Sequence, residues 1–494
     1  MNKHIKTVNA VLVGSVLLFL SGCGTSIDSH ASNTPNNPNT PKIPNNSNTP
    51  KIPNNPNTPN KPNTPNKIGK LTISSDKLML QHEDGAGFFW MGDTAWEMSV
   101  DVTDVEVKLY MEDRKAKGFT VIQASALPTR YGNEQFKENK NGDYPFSKNA
   151  ETQPDFTQAN EAYWEHIDYI VESAKVNNLY VALLPTWSGG LKNEEEARTY
   201  GAFIANRYKD KENIIWVVGG DDGDLKHKSI WNALAEAINV IVKDAQLITY
   251  HPSGNSSSTV AFKDASWLDF HMIQSGHCND ITNANKLLSD TYNNSGNKPV
   301  LDAEPRYEAI NECFSGEDKE GGREFGADDV REIAYRQLFS GAFGHTYGHH
   351  SVWQKFTIGI GDISPAGKTP EKNWQDALND EGARHMTYVS ELMRSRPLLS
   401  RFPDQSMIQS GNAIATRGVG YAFVYLPKGG SVTVTLAKIS GDKVKAWWYD
   451  PRTGDASVID TYPNTGTKDF STGNEDMVLI LDDVSKEYDT PGQL

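Results

Sequence analysis

The chain has 494 residues, 37% of them hydrophobic, with a formal net charge of −15. That length suggests about two to four domains with a sizeable buried core. The acidic balance repels phosphate backbones and anionic headgroups, which argues against nucleic acid and polybasic membrane docking and leaves neutral or cationic partners.

The N-terminus reads as a targeting segment. Lys3 and Lys6 precede the apolar stretch AVLVGSVLLFL (10–20), too short for a comfortable span of about 20 residues. It runs into LSGC, ending at Cys23, which resembles a bacterial lipobox. That resemblance implies a signal peptide over 1–23, lipidation of Cys23 and anchoring by several acyl chains. The expected location is the bacterial cell envelope, exported and lipid-anchored at the outer membrane or cell surface. Residues 24–67 are rich in Asn, Pro and Thr and have nothing to pack, so they read as a stiffened tether.

From residue 68 the chain alternates. Strand candidates GFFWMGD (87–93), FTVIQAS (119–125), LYVALLPTW (179–187), NIIWVVGGD (213–221), LITYHPSG (247–254), WLDFHMIQSGH (267–277), KPVLDAEPRYE (298–308) and FGHTYGHHSVW (343–353) are near-continuous apolar runs. Helical spacing appears at 104–118, 159–178, 193–210, 229–245, 284–294, 328–342 and 381–396. Such alternation means a parallel sheet covered on both faces. The predicted fold is α/β, a (β/α)8 barrel over 68–397. An open doubly wound sheet is the rival, but no Gly-rich phosphate fingerprint follows the first strand. Beyond Pro397 the pattern turns to short alternating strands, read as a small all-β sandwich over 398–494.

Barrel enzymes carry their chemistry at the C-terminal ends of the strands. Polar and aromatic residues collect there: Asp93, Trp96, Trp187, Asp221, His251, Gln274, His277, Glu304, Arg306, Tyr307, His345, Tyr347, His349, His350 and Trp353. Indoles suit the C–H faces of a sugar, and carboxylates, imidazoles and amides suit its hydroxyls. Glycosidic cleavage needs two carboxyl groups across the bond. Asp221 after the fourth strand and Glu304 after the seventh lie on opposite sides of an eight-stranded mouth. Arg306 is expected to keep Glu304 ionised, and partial burial to raise Asp221 toward an acid's role. The glycines of GGD (219–221) read as room for a sugar ring, and Asp222 and Asp224 as loop residues, Asp222 being a candidate rim contact. DDGD (221–224) lacks the alternating ligands and closing Glu of a calcium loop, and the histidines form no zinc pattern, so neither metal nor cofactor is expected.

Together, FFWMGDTAW (88–96), YVALLPTW (180–187), IIWVVGGD (214–221), TYHPSG (249–254), WLDFHMIQSGH, KPVLDAEPRYE and GAFGHTYGHHSVW (341–353) resemble the apiosidase-like family, glycoside hydrolase family 140. The resemblance spans about residues 69–396. AWWYDPRTG (446–454) is similar to a module named for collagen binding that accompanies this family. The resemblance implies hydrolysis of apiose-linked side chains of the pectin rhamnogalacturonan II, with Asp221 as acid and Glu304 as second carboxylate. It also implies retention of anomeric configuration. His271 departs from the family pattern, where Asn is expected, and would alter a contact near the nucleophile or its sugar. Cys278 and Cys313, in neighbouring rim loops, are candidates for a disulfide. The expected partner is a plant cell-wall polysaccharide or oligosaccharide. Two alternatives stay open: the same fold acting on another furanoside or a galactan, and a non-catalytic surface protein that binds carbohydrate or matrix. The oligomeric state is left open.

Overall fold

The computed structural model describes residues 67–128, 137–148, 154–222, 225–314, 323–360 and 369–494. Cys23, the leader, the tether up to residue 66 and Asp224 lie outside the described residues. Among those described, no helix is long and apolar enough to cross a membrane.

The barrel strands are β1 (Trp90–Thr94), β2 (Val121–Ser125), β3 (Tyr180–Leu184), β4 (Ile214–Gly219), β5 (Ile248–His251), β6 (His271–Gln274), β7 (Val300–Asp302) and β8 (Gly344–Tyr347). Parallel pairing runs continuously from β5 through β4, β3, β2 and β1 to β8, and separately joins β6 to β7. Single backbone bonds bridge the two seams. Asp269 N–H donates to Ile248 O at 2.9 Å, and Phe343 N–H to Val300 O at 3.0 Å. The curled sheet is therefore closed into a (β/α)8 barrel, and the open-sheet rival falls.

Helices α1 (Asp104–Ala116), α2 (Glu161–Val176), α3 (Glu194–Tyr208), α4 (Lys228–Val242), α5 (Ser258–Phe262), α6 (Ile281–Asn294), α7 (Ala327–Phe339) and α8 (Glu381–Arg394) follow the strands in turn. They begin where short polar side chains can accept free amides. Thr103 makes a reciprocal capping box with Glu106, Asn193 accepts from Glu196, and Asp280 from Thr282 and Asn283. Five-residue α5 has too few residues to show a helical period, which hid it in the sequence.

Period-two alternation sorts the strand residues. Trp90, Val121, Tyr180, Ala182, Ile215, Val217, Met272 and Leu301 form the barrel interior. Their neighbours Ile122, Val181, Leu183, Trp216 and Val218 pack outward against Tyr110, Ile167, Tyr200 and Leu234 of the helices. An antiparallel sheet of Leu71–Ile73, Leu80–His82 and Gly87–Phe88 precedes β1. It feeds Leu71, Leu80 and Phe88 into the interior cluster and so closes the N-terminal end. The predicted first strand, 87–93, thus divides between this sheet and β1.

Beyond the barrel two antiparallel sheets face each other. The larger has six strands, Phe402–Pro403, Ile414–Gly418, Tyr421–Leu426, Met477–Asp483, Lys443–Tyr449 and Ala456–Pro463; the smaller holds Ile408–Ser410, Gly430–Thr435 and Thr467–Thr472. Val424, Val432, Val434, Phe470 and Leu479 fill the space between them. The other face of the large sheet carries Tyr421, Phe423, Tyr425, Trp447 and Tyr449, which share one core with Tyr335 and Phe339 of α7. A buried bidentate pair, Arg396 to Asp482 at 2.9 and 2.7 Å, ties the linker after α8 to this sheet.

Candidate active site

A cavity of about 370 Å³ opens at the C-terminal ends of the strands. Trp96, Trp187, Asp221, Gln274, His277, Glu304, Tyr307 and Trp353 all line it. Seven more lining residues, Gly254, Asn255, Ser275, Gly276, Asn279, Ile310 and Phe314, were not singled out from the sequence. They sit outside the strands with no period to mark them; only Cys278, beside Asn279, and Cys313, beside Phe314, gave a local signal.

The turn that presents Asp221 is made by its glycines. Gly219, Gly220 and Asp221 have φ of 97°, 114° and 46°, three consecutive left-handed residues. A Cβ on Gly219 would lie 2.5 Å from His251 O, and one on Gly220 2.7 Å from the Trp187 indole. The expected room for a sugar ring is therefore taken by the protein's own groups. Asp221 pays for its left-handed backbone without a glycine's freedom, as residues at functional turns often do. Asp222 turns the other way and accepts from Trp231 Nε1 of α4 at 2.6 Å, with His227 Nδ1 at 3.1 Å.

Glu304 stands two residues past β7. Asp302 fixes this turn: its Oδ1 accepts from the backbone N–H of Glu304 and of Ser275, each at 3.2 Å, and its Oδ2 from Gln337 at 2.5 Å. Burial pushes the Asp302 carboxyl up to about 6 against those bonds. Glu304 is 7% exposed, and its carboxylate sits between two imidazoles. His277 Nε2 is 3.2 Å from Oε1 in hydrogen-bond geometry, and His251 Nε2 is 3.4 Å from Oε2 at an ion-pair distance. Burial alone would raise Glu304; the two histidines outweigh it and hold the carboxyl down to about 2. For His251 burial acts downward, but Glu304 and Asp221 raise the imidazole overall. Trp96 and Trp187 pack edge-on or tilted against that ring, at 5.5 and 5.7 Å between centroids. Gln274 Oε1 and Trp353 Nε1 have no hydrogen-bond partner in the protein. Buried donors and acceptors of this kind are costly unless a ligand or solvent meets them.

Eight expected rim residues lie outside the lining. Asp93 is fully buried and faces α1, where Arg114 Nε and Tyr110 OH reach it at 2.9 and 2.5 Å. His271 bonds Ser258 Oγ at 2.8 Å and Ser295 O at 3.1 Å, so it reaches neither Glu304 nor the cavity. Arg306 is not the cation beside Glu304; it donates to Asn279 O at 2.8 Å and pairs with Asp329 at 3.4 Å. Burial holds the His345 imidazole down to about 3, with no bonding partner. Tyr347 OH donates to Glu308 at 2.5 Å. His251 is also enclosed, and it meets the site through Glu304. His349 pairs with Asp380, and His350 with Ala309 O. Among the described residues no group of three His, Cys, Asp or Glu side chains is arranged to hold a metal ion.

Residues 74–400 match the family model described as "Apiosidase-like, catalytic domain". The chain belongs to the apiosidase-like family. Residues 402–482 of this apiosidase-like protein match a second model, that of a collagen-binding domain of a collagenase. Among solved structures it is similar to a glycoside hydrolase at 35% identity and TM-score 0.78, covering 87% of this chain and 100% of that one. It is equally similar to a glycoside hydrolase family 5 structure from Bacteroides vulgatus ATCC 8482, at 35% identity, TM-score 0.78, and 86% and 95% coverage. A search of curated proteins finds no match. The apiosidase-like chain is a glycoside hydrolase, acting on O-glycosidic bonds.

Proposed function

We propose that this glycoside hydrolase cleaves apiosidic linkages in the side chains of rhamnogalacturonan II with retention of configuration, Glu304 acting as nucleophile and Asp221 as acid and base. The observation that carries the assignment of roles is the pair of histidines on Glu304. A carboxyl held down to about 2 is ionised at any physiological pH and has no proton to give. The proton donor must then be the other carboxyl lining the cavity, Asp221. In the first step Asp221 protonates the leaving oxygen while Glu304 attacks the anomeric carbon, giving a glycosyl ester. In the second, Asp221 takes a proton from water, whose oxygen displaces Glu304. The indoles of Trp96, Trp187 and Trp353 supply apolar walls for sugar C–H faces.

The experiment has two parts. Product analysis on purified rhamnogalacturonan II and its fragments is expected to release apiose-bearing products; release only from another furanoside or a galactan would reject the substrate. NMR of the first-formed anomer is expected to show retention, and inversion would sink the two-step mechanism. Cys23 is proposed as the lipid attachment that tethers the enzyme to the cell envelope. Incorporation of labelled fatty acid that is lost on Cys23→Ala would support it, and an unlabelled parent would reject it.

A further inference from the structure

Among the described residues, Phe314 is an exposed large apolar side chain that also lines the catalytic cavity, being 44% exposed at its mouth. A single exposed phenylalanine needs no explanation by itself. This one is held in place at a cost. Cys313 and Phe314 both have left-handed backbone, φ 54° and 51°. Non-glycine residues persist there only where the surroundings fix them. The fixing contacts are visible. Cys313 is disulfide-bonded to Cys278, Cys313 N–H donates to His277 O at 2.9 Å, and Phe314 N–H donates to Asn311 O at 3.0 Å. The Phe314 ring then meets the His277 ring edge-on at 5.4 Å, and His277 in turn holds Glu304.

We propose that Phe314 is a specificity-determining platform for a second sugar, one linkage away from the sugar being cleaved, set in position by the Cys278–Cys313 disulfide. The proposal rests on the glycosidase reading of Asp221 and Glu304 and adds the outer contact that favours an oligosaccharide over a simple glycoside. An exposed aromatic face at a cavity mouth stacks on the C–H face of a sugar and asks for no particular hydroxyl pattern. The disulfide links the loop after β6 to the loop after β7. It therefore keeps the platform at a constant height above the carboxylate.

The test compares kcat/KM on side-chain fragments of rhamnogalacturonan II with kcat/KM on methyl β-D-apiofuranoside, which has no second sugar. Phe314→Ala is expected to lose about tenfold on the fragments, mainly in KM, and at least fivefold more than on the methyl glycoside. Phe314→Trp is expected to restore the preference. Equal losses on both substrates, or none on either, overturn the platform. Should the parent turn over neither probe, the apioside reading fails separately. The platform is then judged by calorimetric binding of the same fragments to parent and Phe314→Ala, and equal affinity, absent binding included, counts against it. Reduction of the folded enzyme, checked by mass after alkylation, is expected to reproduce the selective loss. A reduced enzyme with the parent's KM would remove the disulfide from the proposal.

Discussion

Asp93 at the end of β1 and Glu304 just past β7 are both carboxylates at barrel strand ends, and both are buried, yet they do different work. Asp93 meets α1, where burial raises its carboxyl against the pull of Arg114 and Tyr110. Glu304 meets two histidines beside the cavity and is held down to about 2. The difference is one of parity. Along β1, Trp90 belongs to the interior cluster and Met91 to the outer one. Asp93 shares Met91's side and so points at the helix layer. A strand end puts a residue near the rim, and only its parity decides whether the side chain reaches the cavity. Glu304 escapes that rule because it follows the strand, on a turn pinned by Asp302.

The largest effect that tests this contrast is catalytic. Glu304→Gln keeps the shape of the side chain and removes the proposed nucleophile, so kcat is expected to fall by roughly 10³-fold or more. Its thermal midpoint should stay close to the parent's. Substantial residual turnover would mean that the two strand-end carboxylates are not divided as described.

Asp93→Asn should do the reverse. Arg114 is fully buried, and losing its closer partner leaves its charge between α1 and the barrel with only Asp113, at 3.6 Å. Removing one member of such a pair costs about 3–5 kcal/mol. Urea unfolding should show that loss, while kcat/KM per folded molecule changes only a few-fold. Parent-like stability with lost turnover would put Asp93 back among the substrate contacts.

Much of this was legible in the chain. Strands buried on both faces announce themselves as unbroken apolar runs, and seven helices announced themselves by their period, which is why the barrel order could be read. Asp221, Glu304, Trp96, Trp187, Gln274, His277, Tyr307 and Trp353 could be found because a residue that leaves a strand toward the rim needs only the strand's end to be known. Asp93, His271, His345 and Tyr347 could not be sorted from them. Facing depends on the pleat and twist of short strands, and boundaries uncertain by a residue reverse it. Arg306 misled for another reason: sequence neighbours on a turn diverge, and its partner Asp329 comes from α7. The histidines that control Glu304 come from β5 and the loop after β6, contacts that exist only once those strands lie near β7.

A smaller effect separates the histidines from a merely structural role. His277→Phe removes a lowering contact from Glu304 while the burial that raises it remains, so the carboxyl must move up from about 2. A proposed nucleophile must be ionised, so activity is expected to be lost as pH falls through that value. The acid limb of kcat/KM should therefore shift to higher pH, with a loss of about tenfold at neutral pH. A reduced rate with an unmoved acid limb would make His277 a packing residue only.

The smallest expected effect probes the Asp93 side. Lys355 is enclosed beside the Asp93–Arg114 pair, with Nζ 3.6 Å above the Tyr110 ring and without a hydrogen-bond partner. Burial drives its ammonium well below the ordinary lysine range, despite the upward pull of Asp93. Two forces compete here. Taking the ammonium out of water costs several kcal/mol, and attraction to the aromatic faces returns about 2. The depressed ammonium says that desolvation prevails, so Lys355→Met should raise stability by about 1 kcal/mol at pH 7. The sign can be checked by pH. Between the folded value and about 10.4 the unfolded chain binds one more proton than the native one, so the parent gains stability as pH rises through that window. The advantage of Lys355→Met should therefore shrink toward pH 10 in paired unfolding curves. A variant that is less stable by a constant amount at every pH would show the cation held favourably by Tyr110 and by the Trp374 ring, 4.7 Å from Nζ, and the Asp93 cluster would then carry two paired cations.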